Sequence, residues 1–150
     1  MIDWKDWKTY LFLLIPVLTG YITSFSCTVG KDAGAKVPAR PSPWVFGAVW
    51  PILYLFLGIV WVLLRKTDSH IIDILMILNV VGLVSWITVY GCKKDKKNAL
   101  YIILLVLLVA FLIFGYAWTQ NRTAGMLITP FVSWILFATM LNYTEVNQEE

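Results

Sequence analysis

Positions 41–64 read PSPWVFGAVWPILYLFLGIVWVLL, a run with no charge before Arg65 and long enough to cross a bilayer. In hydrocarbon every backbone N–H and C=O must be satisfied within its own segment, so such a run forms a helix. About 20 residues at ~1.5 Å rise cover a ~30 Å core. Four more stretches of this kind lie at 10–27, 71–90, 99–118 and 124–143. Segments of ~10 residues with alternating polarity, the mark of a membrane barrel, are absent from the sequence. The chain is therefore expected to be an all-α membrane protein, a bundle of five transmembrane helices forming one domain over 1–150. Its 14% of charged residues fits, because about 25% is usual in soluble domains and uncharged spans make up the difference.

Ahead of the first stretch, Asp3, Lys5, Asp6 and Lys8 alternate with Trp4 and Trp7, and no small-residue cleavage site follows it. The stretch is expected to persist as a span, with Trp4, Trp7 and Tyr10 in an interfacial belt. An odd number of spans separates the termini. One face then carries Lys5, Lys8, Arg65, Lys66 and Arg122, the other Lys31, Lys36, Arg40, Lys93, Lys94, Lys96 and Lys97. Seven cations against five turn the first and third connectors and the C-terminus toward the cytoplasm. The net charge of +3 is what insertion requires and implies no nucleic-acid partner. Cys27 and Cys92 fall near that same face. They are within reach of each other, but cytoplasmic thiols stay reduced, so they are expected to be unpaired. Two cysteines and one histidine are too few for a four-ligand zinc site, and no metal site is expected.

The first connector, 28–43, is rich in breakers, and its last residue, Pro43, suits the first turn of the next helix. The others, 66–70, 91–98 and 119–123, are tight, so successive helices are expected to be antiparallel neighbours. Residues 143–150 read as a frayed acidic tail. Pro51 and Pro130 fall inside spans. Each is either an ordinary membrane-helix proline or a bend that opens space beside Trp50 and Trp134.

Three spans carry stripes at helical spacing. Trp50 and Tyr54 are four apart, with Gly47 and Gly58 on nearby turns forming notches for a flat ligand or a close helix. Asn79, Gly82, Trp86 and Tyr90 line a second helix; Pro130, Trp134, Ala138 and Asn142 line a third, flanked by Phe137 and Leu141. Packing between helices explains any one stripe. Together they describe an apolar pocket with a few polar anchors, the usual make-up of a ligand site. No ionisable residue sits in the middle of a span, and Asp73 and His70 lie at an entrance where capping and exposure explain them. Proton-coupled transport normally needs charge at membrane depth, so transport is disfavoured, as is haem-iron ligation by His70. There is no Ser–His–Asp set, phosphate-cradling loop or carboxylate pair. Chemistry would have to come from tryptophan, tyrosine, bound oxygen or the ligand.

The run Trp44-Val45-Phe46-Gly47-Ala48-Val49-Trp50-Pro51-Ile52-Leu53-Tyr54 resembles the second helix of the TspO/translocator protein family, also known as tryptophan-rich sensory proteins or peripheral benzodiazepine receptors. The run Pro130-Phe131-Val132-Ser133-Trp134-Ile135-Leu136-Phe137-Ala138-Thr139-Met140-Leu141-Asn142 resembles its fifth helix. Asn79 and Trp86 match the third more loosely. The resemblance implies a pocket for porphyrins and other flat hydrophobic molecules, open toward the first connector. Trp50 and Trp134 would be its reactive walls. Trp44, Phe46, Gly47, Tyr54, Asn79, Trp86, Tyr90, Pro130, Phe131, Ala138 and Asn142 would be its lining, and in place of the family's lid residues, absent here, Arg40 and Lys36 are expected to face porphyrin propionates. It further implies protoporphyrin IX, haem or biliverdin as ligand or substrate, no tightly bound cofactor, and a homodimer in a lipid bilayer. The membrane would be mitochondrial outer or endomembrane in a eukaryote, and the cell envelope in a bacterium. Oxidative, light-assisted breakdown of the ring, passive reception and porphyrin or lipid transport all remain open at this point. The family's aromatic residues in the first connector are missing here, and no basic residue follows Tyr143 to complete a sterol-recognition pattern.

Overall fold

A computed structural model describes residues 3–27, 42–65 and 70–149. They form helices α1 (Trp7–Ser26), α2 (Pro43–Leu64), α3 (Ile71–Ile87), α4 (Lys96–Gln120) and α5 (Arg122–Glu149), with no strand among the described residues. α3 runs on into a π-helical turn, Thr88–Cys92.

Local chemistry sets the helix ends. Asp6 caps α1 by accepting from the Lys8 N–H, and Pro43 opens α2 where its missing N–H is harmless. Lys94, at φ 56°, turns the chain between the π turn and α4. Asp95 then caps α4 by accepting from the backbone and side chain of Asn98. The Asn98 backbone bond, then its side-chain bond, hold the Asp95 carboxyl below its usual pKa. This cap is therefore present at neutral pH and is lost as acidification passes the lowered value. Asn121 serves two helices: its N–H closes α4 on the Ala117 carbonyl, while its side chain accepts from Ala124 N–H in α5.

Among the described residues, four helical stretches are long and apolar enough to cross a membrane: Gly47–Leu64, Ile71–Cys92, Lys96–Gln120 and Arg122–Gln148. Of the five spans expected, these four are found, and α1, the remaining helix, is not among them. Within α1, Thr19, Thr23 and Ser26 return their hydroxyls to carbonyls one turn earlier. α1 also contains Pro16, a third proline within a helix besides Pro51 and Pro130.

Helix neighbours follow a ring rather than chain order. α1 packs on α2, α2 on α5, α5 on α4, α4 on α3 and α3 back on α1. The expected pairing of successive helices therefore fails between α2 and α3, which meet only sparsely. Close approach of α1 and α2 depends on glycine. A Cβ at Gly58 would collide with the Leu13 backbone, and one at Gly20 with the Tyr54 ring.

Three further expectations are corrected. Cys27 and Cys92 form a disulfide, their Cα atoms 5.0 Å apart, because the ends of α1 and the π turn meet at one face. The supposed frayed tail is helical through Glu149, with Glu145 only 7% exposed. Lys96, assigned to a connector, begins α4 and is also buried.

Replacing Gly58 by alanine is expected to destabilise the bundle by about 1–3 kcal/mol, since backbone rather than a flexible side chain must move. Gly47→Ala, where a Cβ meets nothing within 4 Å, should stay within about 0.5 kcal/mol of the parent. Thermal unfolding in detergent compares the two. Peptide mapping without reductant should recover Cys27 and Cys92 in one linked fragment, and alkylation without reductant should label neither.

Candidate functional site

Trp50 extends from α2 into the middle of the ring. Its indole lies 5.6 Å, centroid to centroid, from Tyr54, stacked; 5.9 Å from Trp86 of α3; and 6.1 Å from Trp134 of α5, edge to face. Trp86 stacks in turn on Tyr90 at 4.9 Å, and Trp134 touches Phe137 at 5.3 Å. All of these separations lie in the range of direct aromatic contact. Sidedness explains the meeting. α2 enters from the face where α3 ends, so a residue two turns into α2 and one two turns before Cys92 share a depth.

A polar network holds the α3 end of this cluster. The Trp86 Nε1–H donates to Asn142 Oδ1 at 3.2 Å, and Asn142 Nδ2 donates to the Lys96 carbonyl at 2.9 Å. The Tyr90 hydroxyl donates to Glu145 Oε1. The other carboxylate oxygen pairs with Lys96 Nζ at 3.3 Å, and that ammonium sits 3.5 Å from the centre of the Tyr90 ring. α3, α4 and α5 each contribute to this buried group. Sequence reasoning missed Lys96 and Glu145, because each read as a solvated charge outside a span. The signal was available in register: Glu145 lies one turn beyond Asn142 on the same face as Trp134 and Ala138.

The remaining residues expected at the site divide. Phe131, Ala138 and Asn79 are buried. Asn79 is 0% exposed, and among the described residues neither its amide nitrogen nor its oxygen has a hydrogen-bond partner. It lies two turns from Trp86 along the buried side of α3. Gly47, one turn before Trp50, borders open space. Gly58, the other glycine expected to form a notch, is filled by α1. Trp44, 73% exposed, and Pro130 point away from the cluster's interior. Lys36, Arg40 and the Phe46 side chain lie outside the described residues. A narrow apolar cleft between α1, α2 and α3 runs along Pro16, Gly20, Tyr54, Leu57 and Leu83. Asp73, expected as a cap, stands in the first turn of α3. It accepts from Trp61 Nε1 at 2.8 Å and from Arg65 at 2.9 Å, and Arg65 lies over the Phe12 ring.

A chain whose described residues form four membrane-length helices and no strand, with indoles from three helices meeting at Trp50, is an integral membrane protein with an aromatic-lined interior. Residues 10–146 match the TspO/MBR family model, and the chain belongs to that family. It is similar to the translocator protein homolog of Schizosaccharomyces pombe, 29% identical over 92% of this chain and 88% of the relative. The tryptophan-rich protein TspO of Archaeoglobus fulgidus is 28% identical over 74% of each chain. That of Chlorobaculum tepidum is 23% identical over 70% of each.

Removing one partner of the buried ion pair leaves a stranded charge. Lys96→Met is expected to destabilise by about 3–5 kcal/mol, whereas the double change Lys96→Met with Glu145→Leu should recover most of that loss. Denaturation midpoints of the two variants decide this.

Proposed function

We propose that this chain is a membrane receptor that binds tetrapyrroles (protoporphyrin IX, haem or biliverdin) beside its central tryptophans, and that Trp50 and Trp134 support oxidative, light-dependent breakdown of the bound ring. One observation carries the reading: Trp50 of α2 touches readily oxidised indoles of both α3 and α5, a single turn from Gly47, which borders open space among the described residues. A flat macrocycle entering there gains aromatic stacking and loses little solvation. Buried Asn79, whose amide has no partner among the described residues, would supply the polar anchor. A photoexcited macrocycle generates reactive oxygen and abstracts electrons. The protein's part is to hold the ring, exclude water and present an oxidisable indole at its edge.

The same proposal takes α1 as a fifth span, with exposed Trp4, Trp7 and Tyr10 in the headgroup layer, and takes the protein as a homodimer. The Cys27–Cys92 bridge argues against the orientation drawn from charge counting. Disulfides persist in oxidising compartments, so the face of the first and third connectors is proposed to be lumenal or periplasmic. An endomembrane or a bacterial envelope fits that orientation.

Trp50→Phe and Trp134→Phe are expected to retain porphyrin binding, seen as fluorescence quenching, while light-driven bleaching of the bound ring slows about tenfold or more. Bleaching by the parent protein no faster than that of free porphyrin would leave a non-catalytic receptor. Asn79→Leu should raise the unfolding midpoint, because an unsatisfied buried amide costs about 1–3 kcal/mol, while weakening porphyrin affinity. A variant that gained stability and kept full affinity would remove Asn79 from the site.

A further inference from the structure

We propose that Tyr90 and Glu145 terminate a one-electron relay that starts at Trp50 and Trp134 and passes through Trp86. Its physiological oxidant rests on the function proposed above: a photoexcited tetrapyrrole takes one electron from Trp50 or Trp134 and becomes a radical anion. The relay itself belongs to the side chains and serves any oxidant of those indoles.

Geometry gives the path. Centroid separations of 6.1 Å (Trp134 to Trp50), 5.9 Å (Trp50 to Trp86) and 4.9 Å (Trp86 to Tyr90) leave no gap wider than ring contact. Hydrogen bonding gives the direction. An oxidised indole can discard its charge only if its N–H finds a base. Trp86 donates to the amide oxygen of Asn142, which does not take a proton. The vacancy on Trp86 therefore remains a radical cation and moves on. Tyr90 differs, because its hydroxyl donates to a carboxylate oxygen of Glu145. Lys96 Nζ, 3.5 Å from the Tyr90 ring centre, opposes positive charge on that ring, so the phenol must release its proton as it releases its electron.

The step balances. One electron passes from Tyr90 to the Trp86 radical cation, and the Tyr90 O–H bond breaks. The proton goes to Glu145 Oε1, leaving neutral Trp86, a neutral Tyr90 phenoxyl radical and a protonated Glu145. The radical then rests on a ring that is only 2% exposed, and the indoles beside the ligand are restored. The relay spares Trp50 and Trp134 from oxidising themselves.

The test uses the full chain in detergent without tetrapyrrole. An ultraviolet flash ejects an electron from indole, and transient absorption and freeze-quench paramagnetic resonance follow the radicals. Wild type should show a tryptophanyl signal decaying into a tyrosyl signal. Tyr90→Phe should lose that tyrosyl product and prolong the tryptophanyl. Trp86→Phe, which leaves Tyr90, Glu145 and Lys96 in place, should do the same. Glu145→Gln keeps a hydrogen-bond acceptor but removes the base, and should also suppress the tyrosyl. Tyrosyl yield unchanged in both Tyr90→Phe and Trp86→Phe overturns the relay, whatever the stability of Glu145→Gln. Porphyrin binding and bleaching, measured separately, decide the proposed function: a relay without porphyrin affinity sinks that reading alone, and bleaching without a tyrosyl product sinks this one alone.

Discussion

Contact of Trp50 with rings from two other helices is the interaction on which the interior depends. Trp86 and Trp134 belong to α3 and α5, whose backbones do not pack closely on each other, yet both meet the same indole. A ring of five helices leaves a central space too wide for aliphatic side chains from one wall to fill. Large flat side chains reach across it, and Trp50, Trp86 and Tyr90 are each nearly inaccessible to solvent as a result. The aromatic interior is thus a packing solution first. Its chemistry follows from the side chains that solution requires.

The stripes were legible because a helix of known period leaves no freedom over which residues share a face. Trp50 with Tyr54, Trp86 with Tyr90, and Trp134 with Ala138 and Asn142 all follow from spacing alone. What spacing could not supply was adjacency between helices. Short connectors favour chain-order neighbours, but α5 rather than α3 is the principal partner of α2 on that side. Gly47 and Gly58 looked alike in sequence, and only the position of α1 made one a helix contact and the other open space. Cys27 and Cys92 were judged by compartment, whereas their pairing follows from two helix ends meeting. Lys96 and Glu145 were hidden by a sound general rule, that charges flanking apolar runs are solvated. The rule fails where two flanking charges of opposite sign face each other.

That pair illustrates how a membrane bundle uses polarity. Taking two charges out of water is expensive, and attraction between them repays the expense only when the remaining lone pairs and protons are also satisfied. Here the carboxylate is shared between Lys96 and Tyr90, and the lysine faces an aromatic ring. The backbone beside it receives Asn142. Such a network adds little to net stability compared with apolar packing of equal volume. It instead distinguishes one arrangement of α3, α4 and α5 from its near alternatives, which oily surfaces alone do poorly.

The hairpin of α4 and α5 is fastened at both tips. Asn121 joins the helices at one end, where Gly125 leaves room for the Trp118 ring; Lys96 binds Asn142 and Glu145 at the other. Neither helix can slide along its partner like a piston without undoing both fastenings together. The register of Trp134 against α4 is consequently fixed from both ends, whereas α1 and α2 on the far side of the ring are held close only by glycine.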